Sequence, residues 1–266
     1  MTSDFQLTNR LKKELTSLDE AKGRRRTGLF VAEGTKCVLE LAARFRARYV
    51  FASGEWLAEY GAAFGSGEQV PSAPCVLREL TRLGTTPPVI AYFELPEAPA
   101  LPEASQMKSQ LVVALDRIQD PGNLGTILRT CDWMGVRTVV ASTDTVDAFN
   151  PKAVQSTMGA LARVSVVYTD LDAFFGGLPA EVPVYGTFLD GENIYTARLG
   201  AGGILLMGNE GRGIAPALEQ HVSRRLFIPP YPADAVSVES LNVATATSIA
   251  LSQFRCRQFR NSAEND

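Results

Sequence analysis

The sequence predicts an α/β protein in which a mostly parallel sheet, covered by helices on both faces, follows a smaller α/β unit. Two observations carry this. From residue 109 onward, short and continuous apolar segments alternate with helical ones, the pattern of parallel strands joined by crossover helices. Before that point, residues 97–108 (EAPALPEASQMK) bring prolines and glutamates in quick succession without apolar periodicity, which reads as a linker. A chain of 266 residues, 45% of them hydrophobic, has core enough for two small domains. The expected division is therefore 1–96, a linker over 97–108, and 109–266.

In the first part, Leu7, Leu11, Leu15 and Leu18 recur at helical spacing and predict an amphipathic helix with lysines on its other side. GLFVAEG then predicts a strand, TKCVLELAARF a helix, RYVFAS a strand, EWLAEYGAAF and CVLRELTRL two helices, and PVIAYFEL a last strand. In the second part, six apolar segments, LVVAL, TVVAS, RVSVVYT, VPVYGTF, GILLMG and RRLFIP, predict the strands. Between and after them lie GNLGTILRTCDWMG, NPKAVQSTMGAL, LDAFFGGL and a long final helix. Ligands of such open sheets sit at the carboxyl ends of the strands.

Composition narrows the function. No run of about 18 apolar residues exists, and charges occupy the place of a signal peptide's apolar stretch, so neither a membrane nor export is expected. Cys37, Cys75, Cys131 and Cys256 stand far apart and form no CxxC pair, which predicts no metal site and fits a reducing cytoplasm. The net charge of −3 argues against nucleic-acid binding by bulk charge. Its distribution does not: residues 10–26 hold Arg10, Lys12, Lys13, Lys22, Arg24, Arg25 and Arg26 against Glu14, Asp19 and Glu20, an excess of four positive charges. The run suits either a phosphate backbone or a solvated helix face.

Three segments carry chemistry. DPGNLGTILRT (120–130) follows the first apolar strand of the second part; Asn123 suits a helix N-cap, and Arg129 adds a cation within two turns, an arrangement fit for an RNA phosphate or for a cap and surface ion pair. LLMGNEGRGI (205–214) surrounds Glu210 with Gly208, Gly211 and Gly213, which allow close backbone approach or positive φ, yet form neither a dinucleotide fingerprint nor a phosphate loop. In IPPYPADAVSVESLNVATATSIALSQF (228–254), Ser240 or Asn242 can cap the final helix, whose small first residues permit close packing.

In this order and spacing, Asn-x-Gly-x-x-x-Arg, Gly-Asn-Glu-Gly-x-Gly and Ser-Leu-Asn-Val closely resemble the three motifs of the SpoU or TrmH family of RNA methyltransferases, within the SPOUT class. The resemblance covers residues 109–260. The pattern of Arg24, Phe30, Glu33 and Gly34 is similar to the small substrate-binding domain of members acting on ribosomal RNA. The resemblance implies an α/β domain with a carboxyl-terminal trefoil knot, an exception to the rule of unknotted chains. It also implies S-adenosyl-L-methionine as cofactor, RNA as partner and a homodimer with its active site near the subunit interface. Transfer would go to a ribose 2'-hydroxyl, with 23S ribosomal RNA as the expected substrate. Carried over by position, Asn123, Arg129, Glu210, Ser240 and Asn242 are the catalytic residues, and Gly208, Ile228 and Leu241 the cofactor contacts, largely through backbone.

Arg129 corresponds to a residue often proposed to take the 2'-hydroxyl proton. A guanidinium is effectively always protonated, so a role in positioning phosphate and stabilising the developing alkoxide is expected instead. The sole histidine, His221, lies outside the motifs and is expected on a surface helix. The sequence departs from the family at Pro230, where methionine is common, and at Ala244 and Thr245, which replace Ser-Val. The stretch from Ile228 to Ser240 is a few residues longer than typical. Three alternatives remain: a transfer RNA ribose methyltransferase, an RNA-binding or ribosome-assembly factor without catalysis, and base methylation, against which Ser-Leu-Asn-Val speaks.

Overall fold

A computed structural model of the chain describes residues 7–232 and 238–263, with residues 257 and 260–263 by backbone alone. The first elements are α1 (Asn9–Thr16), α2 (Ala21–Thr27), β1 (Leu29–Glu33), α3 (Thr35–Ala42), β2 (Ala47–Ala52), α4 (Gly54–Tyr60), β3 (Glu68–Pro71), α5 (Pro74–Leu80) and β4 (Val89–Glu94). Then follow α6 (Ala104–Ser109), β5 (Leu111–Leu115), α7 (Pro121–Trp133), β6 (Thr138–Ser142), α8 (Pro151–Thr157), β7 (Ser165–Thr169) and α9 (Leu171–Gly176). The last are β8 (Val184–Asn193), β9 (Gly203–Met207), α10 (Pro216–Glu219), β10 (Arg224–Phe227) and α11 (Val243–Ala263). They form two compact units: residues up to 97 together with 147–163, and 98–146 together with 164 onward.

The first unit is built on a four-stranded sheet of order β1-β4-β2-β3, antiparallel except for the β2–β3 pair. Leu15 and Leu18 of the predicted leucine stripe are fully buried against Leu29, Val31, Ile90 and Tyr92 of this sheet. The stripe bends where α1 gives way to a 3-10 turn over Ser17–Asp19, so Leu18 reaches the core from outside the α-helix. The sequence pattern places 147–163 with the carboxyl-terminal part, whereas here the stretch belongs to the first unit. Phe149 packs against the rings of Phe30 and Phe45, at 4.8 and 6.1 Å. Asp147 binds the buried guanidinium of Arg24 at 2.6 and 2.9 Å, and Arg24 also donates to the carbonyls of Leu18 and Asp19. Arg24 is therefore a structural cation, and the exposed members of α2 are Lys22, Arg25 and Arg26.

The second unit is a six-stranded sheet of order β10-β8-β9-β5-β6-β7, parallel throughout, built from the six segments the sequence marks as strands. The apolar run Leu111–Leu115 is buried along its whole length, as a central strand covered on both faces requires. Part of the expected linker is ordered: α6 occupies 104–109, closed by a capping box between Glu103 and Gln106 and anchored by the buried Met107. β5 continues on one side into β6 and β7, while β9, β8 and β10 lie on its other side. The strand order thus reverses between β5 and β9, and such a reversal opens a crevice at the carboxyl ends.

Candidate active site

All three sequence segments converge on that crevice. β5 leads through Asp116 and Arg117 to α7, β9 leads into residues 208–215, and α11 begins at Val243. Beside the second and third of these lies a cavity of about 440 Å³. It is walled by Thr187, Phe188 and Leu189 of β8, by residues 207–214, by Glu219 of α10, by Phe227 at the end of β10 and Ile228 after it, and by residues 239–241 with Val243 and Ala246. Gly208, Ile228 and Leu241, the predicted cofactor contacts, all line it, as do Glu210 and Ser240.

The glycines divide by role. Gly208 is needed for close approach, because a Cβ there would stand 2.2 Å from the carbonyl carbon of Gly213. Gly213 adopts a φ of +66°, which favours glycine. Gly211 meets neither constraint. The 209–213 segment closes on itself through paired backbone bonds between Asn209 and Gly213, at 2.9 and 3.0 Å. Within it, the Asn209 side-chain oxygen accepts from the N–H groups of Gly211 and Arg212, both at 3.1 Å.

One residue from each motif joins a continuous hydrogen-bond chain. Asn242 caps α11, its Oδ1 accepting from the N–H groups of Ala244 and Thr245 at 2.9 and 3.3 Å. Its amide Nδ2 therefore faces Asn123 and donates to Asn123 Oδ1 at 3.0 Å. Asn123 Nδ2 in turn donates to Glu210 Oε1 at 2.9 Å, and Glu210 Oε2 accepts from Asn209 Nδ2 at 3.3 Å. Each amide has its orientation fixed by its neighbour, back to the capped helix. Asn123 is thus not the cap of α7. Asp120 holds that place, accepting from the Asn123 N–H at 2.8 Å, with Pro121 opening the helix, so the Asn123 side chain is left for Glu210.

Arg129 does not join this cluster. It lies six residues beyond Asn123 in α7, about 120° around the helix. It is exposed and makes no ion pair among the described residues. Trp133, one turn further on the same face, is 88% exposed. The opposite side of α7 buries Leu124, Ile127, Leu128 and Cys131, and the helix packs on α11 with Thr130 and Ser248 in hydroxyl contact at 3.1 Å. Ser240 is exposed at the cavity wall. His221 sits in a turn after α10 rather than on a helix, beside Asp172 at 2.7 Å. Burial pushes the Cys37 thiol up to about 12 and raises that of Cys131 as well, so neither is a nucleophile at neutral pH.

Sequence reasoning missed Asp116, Arg117 and Asn209. Asp116 is buried and holds Arg117 through two bonds of 2.8 Å, and the Arg117 carbonyl accepts from Asn209 Nδ2 at 2.7 Å. A charged pair directly after a wholly apolar strand, and an asparagine opening a glycine-rich turn, are the signals that could have found them.

A family model described as the SpoU rRNA methylase family matches residues 110–252. The chain belongs to the SpoU rRNA methylase family. A second model, the MRM3-like substrate binding domain, matches residues 9–91. The 23S rRNA (guanosine(2553)-2'-O)-methyltransferase RlmP of Bacillus subtilis is 38% identical over 157 residues, 58% of this chain and 62% of that protein. The 23S rRNA (guanosine-2'-O-)-methyltransferase RlmB of Xanthomonas campestris is 35% identical over 158 residues, 58% of this chain and 61% of that protein. The matches thus span about three fifths of these curated relatives. Among solved structures, a TrmH-family protein from Porphyromonas gingivalis superposes with a TM-score of 0.82 at 39% identity, over 95% of this chain and 100% of that one. An AdoMet-bound rRNA methyltransferase from Sinorhizobium meliloti gives 0.81 at 31% identity, over 95% and 96%. Asn123, Glu210 and Asn242, linked through Asn123, all lie within the residues that this family model matches.

Proposed function

We propose that the chain is an S-adenosyl-L-methionine-dependent RNA methyltransferase acting on a ribose 2'-hydroxyl in 23S ribosomal RNA. The observation that carries this reading is the bonded chain Asn242–Asn123–Glu210 set beside the cavity of Gly208, Ile228 and Leu241. The activities named for the relatives agree with it, and a ribosomal RNA substrate implies a cytoplasmic enzyme.

The residues fit the cofactor. The cavity lies within the range of about 300–1,000 Å³ typical of small-ligand sites, and the carboxylates of Glu210 and Glu239 on its wall, beside Glu219 paired with Arg225, suit a ligand carrying sulfonium and ammonium charges. When bound, the cofactor supplies an activated methyl group open to in-line attack by the ribose oxygen. The protein's part is alignment. Gly208 and Gly213 keep the wall thin and tightly turned, and Asn123 and Asn242 hold Glu210 in one orientation at its edge. With both carboxylate oxygens already accepting, Glu210 serves to fix the loop and the local charge.

Arg129 stands outside the cluster of its own subunit, on the exposed face that also presents Trp133. Both features support a homodimer in which this face of α7 meets a second copy and Arg129 serves a site near the interface, binding phosphate and stabilising the developing alkoxide. The carboxyl-terminal trefoil knot remains part of this proposal, on the family resemblance. The longer stretch from Ile228 to Ser240 includes residues 233–237, which lie outside the described residues.

The test maps ribose methylation in ribosomal and transfer RNA from a deletion strain, followed by methylation of the undermodified RNA with purified protein and labelled cofactor. One 23S site lost in the strain and restored in vitro is expected. A transfer RNA site would move the substrate assignment. Tight rRNA binding without cofactor binding or transfer would overturn the enzyme reading in favour of an assembly factor.

A further inference from the structure

The end of β5 carries a device outside the three motifs. Arg117 has a φ of +55°, one of two non-glycine residues at positive φ among those described. Left-handed backbone is disfavoured for a side chain of this size and persists where surrounding bonds over-determine it. Here they do. The Arg117 N–H donates to Ser142 Oγ at 2.8 Å, and its carbonyl accepts from Asn209 Nδ2 at 2.7 Å. Its guanidinium binds both oxygens of Asp116 and donates to the Gly213 carbonyl at 3.2 Å. Asp116, only 2% exposed, also accepts from the Ala215 N–H at 2.8 Å. Residues 209–215 are thus tied at both ends, Asn209 at the start and Gly213 and Ala215 at the finish, to the same two residues. Between those ties lies Glu210.

We propose that Arg117, locked onto Asp116 in the left-handed conformation, is the positioning residue that sets the Glu210 loop against β5. Through that loop it holds the Asn123–Glu210 contact and the cavity wall in register. Its backbone receives Asn209 and its side chain receives Gly213, so a displacement of Arg117 moves both ends of the loop together. Arg117 itself is not among the residues lining the cavity. The bidentate geometry is what lysine cannot reproduce, since a point charge cannot span both Asp116 oxygens and a carbonyl at once. The inference rests on the methyltransferase reading only where activity is measured.

Two variants separate backbone from side chain. Arg117→Gly keeps the left-handed conformation at no steric cost and removes the guanidinium. Arg117→Lys keeps the charge and removes the fork. Amide hydrogen exchange across residues 209–215, followed in the full-length protein without cofactor, is the deciding measurement. Exchange in this loop is expected to rise about tenfold or more in both variants, the scale of one lost hydrogen bond to a charged group, while the rest of the sheet keeps wild-type protection. Affinity for S-adenosylhomocysteine is expected to fall by a similar factor, and kcat to fall with the KM for RNA little changed. Loop exchange within twofold of wild type in both variants would overturn the proposal. Raised exchange in a protein whose wild type binds no S-adenosylhomocysteine would leave the positioning role standing and remove the methyltransferase reading.

Discussion

Glu210 shows how much one residue depends on the polarity of its neighbours. Asn242 is oriented by the α11 cap, Asn123 is oriented by Asn242, and Glu210 therefore receives N–H donors on both oxygens. Glu210→Gln offers one oxygen where two are needed, so an amide donor must face either Asn123 Nδ2 or Asn209 Nδ2. Neither partner can turn over to accept it, because the Asn209 oxygen is committed to Gly211 and Arg212 and the Asn123 oxygen to Asn242. A lost and opposed hydrogen bond costs about 1–3 kcal/mol in the folded loop and displaces it, so single-turnover transfer is expected to fall roughly 10- to 100-fold together with a drop of a few degrees in melting temperature. Transfer within twofold of wild type would remove Glu210 from the working site. Arg129 answers to a different test. Arg129→Ala should lower transfer by about 10²–10³, the scale of one charge-stabilising donor, and leave cofactor affinity within a few-fold, since Arg129 is not among the residues lining the cavity. Equilibrium binding and single-turnover measurements on the same preparation check both halves. Arg129→Lys should also transfer poorly, because an ammonium cannot make the planar two-pronged contact.

At the scale of elements, the sheet and most of the helices that join its strands were legible, while β3, α6 and α10 were not. Six apolar segments became six parallel strands, and the signal is plainest in the central pair β5 and β9, which are buried along their whole length. β3 escaped notice: Glu68–Pro71 is a short edge strand with only Val70 buried, so it carries neither an apolar run nor an alternation long enough to read. The motif residues were identified by resemblance, while their bonding depended on which residue caps α7. Asp120 and Asn123 are both good caps, and only the fold shows that Asp120 takes the role and frees Asn123. Gly208 and Gly213 allow the loop after β9 to be tested as an element. Gly208→Ala would place a Cβ 2.2 Å from backbone that is itself pinned by the Asn209–Gly213 pair. Gly213→Ala meets no atom within 4 Å but incurs the left-handed penalty of about 1 kcal/mol. The expected order is a near-complete loss of S-adenosylhomocysteine binding for Gly208→Ala and a loss of about fivefold for Gly213→Ala, measured by calorimetry. Equal effects would mean that crowding at Gly208 is relieved by movement the wall can tolerate.

For the whole molecule, the proposed RNA substrate raises the question of where affinity for it would reside in a chain whose net charge is −3. Long-range attraction does not favour the complex, so affinity must come from a local surface, and residues 10–26 form a strongly basic stretch. Cutting the chain near residue 100 would not test this, because residues 147–163 belong to the first unit and would be stranded with the second fragment, breaking the Arg24–Asp147 pair. Point substitutions are the better instrument, and they divide the basic run. Arg24 is buried and holds three partners, so Arg24→Gln should destabilise the protein, toward the lower end of the roughly 3–5 kcal/mol typical of a broken buried pair because Asp147 is itself 37% exposed. Arg25 and Arg26 are exposed, and the bond from Arg26 to Ser17 Oγ at 3.0 Å leaves both charges available to phosphate. The double variant Arg25→Gln, Arg26→Gln should keep the wild-type melting temperature and weaken RNA binding. Removing one phosphate interaction should also flatten the plot of log affinity against log salt by about 0.7–0.9, so the pair would reduce its slope by up to roughly 2. Measuring RNA affinity across a salt series, beside melting curves for all three proteins, reads both effects. An unchanged salt slope in the double variant would make this stretch a solvated helix face, and the RNA-binding surface would have to be sought among other cations.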